Sequence, residues 1–347
     1  MREGRRHRAR QFAVAPNMPI DLWGNWSRIQ MPVDNHPGKI LTPSLLKRAA
    51  ISAIRCIVGQ LPGGTRVATL DRLIDRQDWF LTFSQLAKEF GVVAVKVAGE
   101  YGVIEGNPRD AGVLRGYAET GRWADRTNRR LIEFFAEAPG TYIDIGANIG
   151  LTTIPIARRS GMHCVAIEPD PANFACLASN VTTNCTQANV TLYNLAIADA
   201  NEPMHLSLSP DSMGDHRLTR NGPPDRRVII VDCRRLDDLG IEVSKRLAVK
   251  IDTQGSEPLV VAGGGITLSG ADLLILEFCP YLMRQLGADP EVVIRFIENN
   301  FVKVTLAYGE DGPSFDMPMG KVAEVLRRIA RDQADELSCW FDVTAEK

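Results

Sequence analysis

The sequence has few of the features that mark a disulfide-rich or zinc-binding protein. Its seven cysteines occur singly, and no two of them form a C-x-x-C pair. They lie at Cys56, Cys164, Cys176, Cys185, Cys233, Cys279 and Cys339. The odd count and the spacing argue against a disulfide framework and a zinc module, and they predict a reducing, cytoplasmic environment.

Long apolar runs and a basic excess are also missing. No uncharged apolar segment approaches the roughly 18 residues that a membrane-spanning helix needs. The formal net charge is -2 and the isoelectric point is near 6.3, whereas a protein that binds nucleic acid is usually basic. Nucleic acid is therefore not expected as a partner. The 45% apolar content of the 347 residues does suffice for a sizeable core.

The N-terminal segment differs from the rest of the chain. MREGRRHRAR carries five arginines in ten residues, and residues 1–40 are predicted to be a basic, flexible tail without the apolar segment of a secretory signal. Residues 41–110 are predicted to form a helical extension that opens with an amphipathic helix at 42–61. This helix is interpreted as a docking helix. The alternative is peripheral contact with an anionic membrane surface.

From Gly140 onward, apolar strands alternate with helices. Strands are predicted at Thr141–Ile145, His163–Ile167 and Val190–Ala196, and helices at Gly150–Arg159 and Pro171–Asn184. Alternation of this kind predicts an α/β fold, in which a mostly parallel sheet carries helices on both faces.

The second half of this region repeats the alternation after an interruption. MHLSLS and RVIIVDCRRLDDL are typical of antiparallel strands, so a hairpin insertion is predicted at about 201–235. A strand at Leu247–Asp252, a helix from about Glu257 and a strand at Leu273–Phe278 follow. Two further helix and strand pairs complete the predicted domain, which spans 111–347. The insertion is expected to lie above the ligand that this domain binds and to influence which second substrate is accepted.

The stretch TYIDIGANIGLTT predicts a ligand-binding turn between a strand and a helix. Glycines let a ligand approach the backbone closely, and Gly146-Ala147-Asn148-Ile149-Gly150 departs from the G-x-G-x-x-G spacing of dinucleotide folds. Asn148 tolerates a left-handed backbone. Asp144 stands just before the turn, where it would repel a pyrophosphate but would suit an ammonium group.

A second acid, Glu168, is predicted to end the next strand. A carboxylate at this place accepts hydrogen bonds from the vicinal hydroxyls of a ribose. A ligand with an ammonium, a carboxylate and a free ribose matches S-adenosylmethionine, which is the predicted cofactor. The alternatives are a helix cap for Asp144 and a turn acid for Glu168.

Several segments together resemble the FkbM family of S-adenosylmethionine-dependent methyltransferases. They are YIDIGANIGLTTIPIA, IEPDPANFACLASNV, the LDDL of RRLDDLG, AVKIDTQGSEPLVVAGG and LLILEF. The resemblance implies a Rossmann-like class I methyltransferase domain that methylates a hydroxyl of a sugar, glycan or secondary metabolite. The string at Lys250, Asp252, Gly255 and Glu257 is the most specific mark of this family. Gln254 and Pro258 depart from the family pattern.

The candidate catalytic residues lie at predicted carboxyl ends of strands. Asp252 is the leading choice for a base or acceptor-orienting group, and Lys250 lies on the same strand face. The alternative is that Lys250 and Asp252 form a structural ion pair. Glu257 either caps its helix or faces the acceptor. Glu277 completes an acidic cluster with Asp252, for which a divalent cation is considered but not favoured. His216, in the insertion, is a candidate acid/base group.

Adenine recognition is assigned to the end of the third strand, at Ala196 and Asp199, although a turn acid explains Asp199 equally well. The predicted function is therefore O-methylation of a small-molecule or glycan acceptor. One alternative is an N- or carboxyl-directed methyltransferase. Another is a non-catalytic nucleoside-binding or membrane-surface adaptor protein.

Overall fold

The structure is a computed structural model, and it describes residues 40–41, 80, 84, 87, 92–186, 188–220, 225–244, 246–309, 312–332 and 340–347. The predicted tail at 1–39 and the amphipathic helix at 42–61 lie outside the described residues. Within the described part of the chain, no helix is long and apolar enough to cross a membrane.

The described elements are sixteen strands, eight α-helices and a 3-10 turn at Leu236–Asp238. The strands are β1 Ile40–Leu41, β2 Val95–Gly99, β3 Gly102–Gly106, β4 Thr141–Ile145, β5 His163–Ile167, β6 Asn189–Tyr193, β7 Ala196–Ile197, β8 Met204–Leu208, β9 Arg217–Thr219, β10 Arg227–Val231, β11 Cys233–Arg234, β12 Leu247–Ile251, β13 Leu273–Phe278, β14 Lys303–Ala307, β15 Ser314–Met317 and β16 Phe341–Glu346. The helices are α1 Val113–Thr120, α2 Asp125–Phe134, α3 Thr153–Ala157, α4 Pro171–Asn184, α5 Glu257–Ser269, α6 Pro280–Gln285, α7 Glu291–Asn300 and α8 Met319–Asp332.

The central sheet has eight strands in the order β6-β5-β4-β12-β13-β16-β14-β15. Strands β6, β5, β4, β12 and β13 are parallel, whereas β16 runs antiparallel to both of its neighbours. The central strands are short, continuous apolar runs, as expected for strands covered on both faces. This arrangement confirms the predicted α/β, Rossmann-like fold with a mostly parallel sheet.

Each face of the sheet has its own hydrophobic core. Tyr142 packs in the core that α1, α2, α3 and α4 cover. Its neighbour Ile143 points to the opposite face and packs in the core beneath α5, α7 and α8. Alternate side chains of a strand point to opposite faces, so the run TYIDI is buried on both sides.

Helix α4 shows how the sequence sets an element boundary. Asp170 is its N-cap, and the side chain of Asp170 accepts a hydrogen bond from the backbone N-H of Asn173 at 2.9 Å. Pro171 occupies the first helical position, where its missing N-H costs nothing. The helix thus begins at the residue that the sequence predicts.

The region before the domain contains a β-hairpin. β2 at Val95–Gly99 and β3 at Gly102–Gly106 are paired antiparallel strands within the predicted helical extension. Asn180 and Asn184 of α4 fasten this hairpin to the domain. Their side-chain amides donate to the carbonyls of Glu105 and Val103, both at 2.9 Å.

Three further details differ from the sequence predictions. The helix expected from Gly150 begins at Thr153, because Gly150 has a left-handed backbone with φ of 93°. The insertion is a three-stranded antiparallel sheet, with β8 between β10 and β9, and not a simple hairpin. The strand expected to reach Ala196 ends at Tyr193, after which β7 pairs with β11. The extent of the predicted domains stays a prediction.

Candidate active site

A cleft of about 800 Å³ opens at the carboxyl ends of the parallel strands. It lies where the strand order reverses, between β4 and β12, which is the usual ligand site of open α/β sheets. Its volume falls within the range of small-molecule sites. Residues from the glycine turn, the ends of β5, β12 and β13, the insertion and the segment between α1 and α2 line it.

The turn after β4 allows a ligand to approach the backbone closely. Gly146 and Asn148 both have left-handed backbones, with φ of 81° and 51°. A Cβ at Gly146 would lie 1.9 Å from the carbonyl oxygen of Asp252, so no larger residue fits there. The left-handed Asn148 is confirmed. Gly146, Ala147, Asn148 and the adjoining residues present this turn to the cleft.

Asp144 lies behind this turn and does not line the cleft. It is fully buried, and its Oδ2 accepts hydrogen bonds from the hydroxyls of Thr152 and Thr153, both at 2.7 Å. Its Oδ1 lies 3.2 Å from the Nζ of Lys250. Direct contact with an ammonium group, predicted from the sequence, does not match this orientation because both oxygens point into the protein.

Lys250 connects the turn with two carboxylates. Its buried ammonium group donates to the carbonyl of Gly146 at 3.0 Å and lies 3.6 Å from Oδ2 of Asp252. Burial lowers the pKa of Lys250, but the carboxylates of Asp144 and Asp252 outweigh burial and raise it above its ordinary value. Lys250 is therefore a fixed cation, and the ion pair that the sequence left open is present.

Glu168 lines the cleft at the end of β5. Its two carboxylate oxygens accept hydrogen bonds from the backbone N-H groups of Asn148 and Asp170, both at 2.9 Å. Burial raises the pKa of Glu168 to about 7, although these two N-H groups oppose the shift. Glu168 thus joins the glycine turn to the strand end where a ribose was predicted to bind.

The insertion forms one wall of the cleft, at residues 212–216. The carbonyl oxygen of Met213 accepts hydrogen bonds from the side-chain amides of Asn148 and Asn173, both at 2.9 Å. On the other side, the backbone N-H of Met213 donates to Oδ1 of Asp110 at 3.0 Å. The sequence did not indicate Asp110, which is buried and ties the segment before α1 to the insertion.

His216 lies in this wall and is largely buried. Its Nδ1 accepts a hydrogen bond from the backbone N-H of Ser209 at 3.0 Å, and its Nε2 lies 3.8 Å from Asp170. Burial lowers the pKa of His216, against the opposing effect of nearby acids such as Asp170. His216 thus lines the cleft with its Nδ1 occupied by a backbone hydrogen bond, and its acid/base role stays a prediction.

Asp252, Gln254 and Glu277 form the floor of the cleft at the ends of β12 and β13. The Nε2 of Gln254 donates to Oδ1 of Asp252 at 2.9 Å and to Oε2 of Glu277 at 2.7 Å. The side chain of Asp252 is 42% exposed. Within the described residues, no group of three or more His, Cys, Asp or Glu side chains is arranged to hold a metal ion.

Glu257 is fully buried and does not line the cleft. Its carboxylate accepts hydrogen bonds from the backbone N-H groups of Thr253 and Gly255, both at 3.0 Å. This geometry matches neither of the two alternatives, because Thr253 and Gly255 precede α5 and Glu257 therefore binds its own loop instead of capping the helix or facing an acceptor. Burial raises the pKa of Glu257 to about 7, and the two N-H groups oppose the shift.

The raised pKa of Glu257 predicts a pH-dependent stability. Its folded-state pKa of about 7 lies above the ordinary 4.5, so its stabilising contribution is complete below about pH 4.5 and is lost as the pH rises to about 7. The wild-type free energy of unfolding should fall by about 1–3 kcal/mol more across this window than that of Glu257→Gln. Urea unfolding at several pH values measures the difference. The exposed Glu202→Gln is the control, and equal pH slopes for wild type and Glu257→Gln would contradict the prediction.

Comparison with known proteins identifies the domain that contains this cleft. Residues 144–302 match the family described as the Methyltransferase FkbM domain. The chain carries an FkbM methyltransferase domain. The resemblance of the sequence motifs to this family is thereby confirmed. No match was found among curated proteins.

Three solved structures are among those to which this chain shows a distant similarity. The precorrin-6y C5,15-methyltransferase of Geobacter metallireducens is 11% identical, with a TM-score of 0.31, and covers 63% of this chain and 88% of its own. Magnesium protoporphyrin IX methyltransferase of Synechocystis, with bound SAM, is 12% identical, with a TM-score of 0.34 and coverages of 65% and 77%. TYW2 of M. jannaschii, in complex with AdoMet, is 14% identical, with a TM-score of 0.35 and coverages of 73% and 85%.

The structure of the FkbM domain brings nine of the thirteen predicted site residues to one cleft and leaves four outside its lining, namely Asp144, Gly150, Glu257 and Asp199. Ala196 lines the cleft, together with Leu195 and Ile197. Asp199 is exposed and does not line it. The predicted role of Asp199 in adenine recognition does not match this position, because Asp199 follows the lining residues of β7 and is exposed outside the cleft.

Two groups of cleft residues were missed, and both lie outside the matched part of the FkbM domain. Trp123 and Asp125 come from the segment between α1 and α2, and Trp340 and Asp342 come from β16 and the residue before it. Isolated tryptophans in a sequence are usually interpreted as core residues. Only the position of β16 between β13 and β14 shows that Trp340 lies beside the cleft.

Proposed function

We propose that this chain is an S-adenosylmethionine-dependent O-methyltransferase that acts on a hydroxyl of a sugar, glycan or related polyhydroxylated molecule. The observation that carries the proposal is the carboxylate of Asp252. It lies at the cleft floor, is 42% exposed, and is held by Lys250 on one oxygen and by Gln254 on the other. A fixed, accessible carboxylate beside the cofactor turn is suited to accept the proton of a hydroxyl.

The cleft fits the cofactor in shape and in chemistry. Its volume accommodates a nucleoside with an aminoacyl chain, and the turn residues Gly146, Ala147 and Asn148 line it directly. Glu168 would hold the ribose hydroxyls, and the edge at Leu195, Ala196 and Ile197 would contact the adenine. When bound, S-adenosylmethionine supplies an electrophilic methyl group.

Asp144 has a different role in this proposal from the one the sequence suggested. Its contacts with Thr152, Thr153 and Lys250 fix the residues on both sides of the glycine turn. The turn is thus pre-formed before any ligand arrives. Pre-formed sites bind with a smaller loss of conformational freedom, so Asp144 would act on the cofactor through the shape of the turn.

The outer part of the cleft favours a polyhydroxylated acceptor. Trp123 and Trp340 line it, and the carboxylates of Asp125, Glu277 and Asp342 are near them in the same lining. Trp340 is 40% exposed and stacks on Tyr308 with ring centroids 6.1 Å apart. Aromatic rings present apolar faces to the C-H surfaces of a sugar, while carboxylates accept hydrogen bonds from its hydroxyls.

The chemistry needs the acceptor oxygen and the methyl group to be held in line. Asp252 would accept the proton of the acceptor hydroxyl as its oxygen takes the methyl group, and Lys250 would stabilise the negative charge that moves between them. Positioning of this kind supplies on the order of 7–11 kcal/mol in favourable cases. Glu277 and Gln254 complete the surface on which the acceptor rests.

A product analysis tests the proposed function. The purified chain is incubated with tritium-labelled S-adenosylmethionine and a panel of methyl glycosides, glycans and hydroxylated natural products. We expect a labelled methyl ether, which survives mild base, whereas a methyl ester would be cleaved. Label found only on nitrogen or in a base-labile ester would overturn O-methylation and support the alternative methyltransferases. Absence of transfer despite binding of S-adenosylhomocysteine would support the nucleoside-binding alternative.

The remaining sequence-based predictions stay predictions. A cytoplasmic location and the exclusion of nucleic acid rest on composition and charge alone. Membrane-surface contact through residues 42–61 concerns a segment outside the described residues.

A further inference from the structure

Gln254 occupies an unfavourable backbone conformation at the floor of the cleft. It follows the end of β12 and has φ of 54°, directly before Gly255 with φ of 106°. A left-handed backbone is uncommon for a residue with a Cβ, and strained conformations persist where surrounding contacts fix them. The contacts that fix Gln254 are therefore informative about its role.

The amide of Gln254 links two strand ends. Its Nε2 lies 2.9 Å from Oδ1 of Asp252 and 2.7 Å from Oε2 of Glu277. A side-chain amide has two N-H donors, so each carboxylate receives one. Asp252 and Glu277 come from the adjacent parallel strands β12 and β13, and this amide is what connects their side chains across the floor.

The second oxygen of Asp252 has its own partner. Its Oδ2 lies 3.6 Å from the ammonium group of Lys250. Asp252 is therefore held at both oxygens, by a neutral donor on one side and a cation on the other. A carboxylate oxygen can accept more than one hydrogen bond, so each keeps a free direction toward the cleft.

We propose that Gln254 is a positioning residue for methyl transfer, because its amide ties Asp252 to Glu277 and fixes the orientation of the Asp252 carboxylate toward the acceptor. The inference rests on the proposed role of Asp252 as the proton acceptor. Gln254 is one of the two residues that depart from the family pattern, and its amide supplies two donors that a carboxylate at this position would lack.

The charged groups around the cleft floor determine the effect of an acid introduced at position 254. The charged groups around the floor are Lys250 on β12, which lies 3.6 Å from Asp252 and 3.2 Å from Asp144 on β4, and Glu277 on β13, which interacts with Asp252, with Asp342 on β16 and with Glu257 on α5. Burial, followed by the charges of Asp252, Glu257 and Asp342, raises the pKa of Glu277 well above its ordinary value. A further carboxylate at 254 would place a like charge between two acids, which disfavours the ionised form of each.

Two substitutions test the proposal, with rates measured against pH on the best acceptor of the glycoside panel. Gln254→Glu should lower kcat at neutral pH and move the acid limb of the pH–rate profile upward, because it adds a like charge between two carboxylates. Gln254→Met keeps the length of the side chain without its donors and should lower kcat by about 10-fold, with the acid limb unmoved or moved only slightly. Gln285→Glu, at an exposed position of α6 outside the cleft lining, makes the same change elsewhere and should match wild type.

The outcomes separate this inference from the proposed function. If both Gln254 variants keep the wild-type kcat and pH profile, or lose only thermal stability, the positioning role is wrong. If Gln254→Glu fails to fold, Gln254→Met still decides the question, since S-adenosylhomocysteine binding reports its folding. If the methyl group is found on nitrogen while the Gln254 variants shift the profile as expected, O-methylation fails and the positioning role stands.

Discussion

Replacing Lys250 with methionine is expected to lower the free energy of unfolding by about 3–5 kcal/mol. The reason is that the substitution leaves Asp144 as a buried charge without its cation. Asp144 is fully buried, and although Thr152 and Thr153 bond one of its oxygens, the other has Lys250 as its ion-pair partner at 3.2 Å. Burial of an unpaired carboxylate is far more costly than loss of an exposed ion pair.

Urea unfolding measures this effect, and a surface lysine provides the control. Lys303 lies 3.6 Å from Glu346, but its side chain is 57% exposed. Lys303→Met should therefore cost about 0–1 kcal/mol. The double variant Lys250→Met with Asp144→Asn should recover part of the lost stability, because it removes the buried charge as well. Equal losses at Lys250 and Lys303 would show that the buried pair does not stabilise the fold.

Asp252→Asn is expected to reduce kcat by about 10²–10⁴-fold, the range for loss of a general base. Asparagine has nearly the same shape but is a poor proton acceptor, so the acceptor hydroxyl would no longer have a base. The affinity for S-adenosylhomocysteine should change by less than about twofold, since Asp252 touches the acceptor side of the cleft.

Methyl-transfer rates measure the expected fall in kcat, and isothermal titration measures the affinity for S-adenosylhomocysteine. Asp232→Asn makes the same substitution at an exposed position between β10 and β11 and should keep the wild-type rate. A wild-type kcat in Asp252→Asn would rule out this residue as the base and would direct attention to Glu277. Loss of S-adenosylhomocysteine binding would instead indicate that Asp252 supports the cofactor turn.

The sequence was sufficient to predict the central sheet because each central strand has a strong local signal. TYIDI, HCVAI, LAVKI and LLILEF are apolar runs of strand length between turn residues, and all four form strands at or within one residue of the expected bounds. The turn at Asn148 was equally local, since asparagine after glycine favours a left-handed backbone. Local signals of this kind survive folding because burial and backbone preference agree.

Contacts between distant segments were not predictable in the same way. Lys250 stands opposite Asp144 in the register of β12 and β4, and the two are 106 positions apart, so the sequence suggested only the nearer Asp252 as a partner. Trp340 likewise reaches the cleft because β16 inserts between β13 and β14. Strand order, and not spacing, decides both contacts.

The orientation of Glu257 shows a further limit. Its position next to the family's most specific mark suggested contact with the acceptor, yet the side chain turns back to the N-H groups of Thr253 and Gly255. Whether an acid at a helix start faces a ligand or its own loop depends on the direction of the preceding turn. Here the left-handed pair Gln254 and Gly255 sets that direction.

The position of β16 in the sheet also determines when the sheet can be completed during translation. β16 follows β14 and β15 in the sequence but lies between β13 and β14 in space. A nascent chain that has been translated only as far as β15 lacks the strand that joins this hairpin to the rest of the sheet. Until the ribosome has released β16, the edge of β13 has no partner, and the sheet is completed only after translation has passed Glu346.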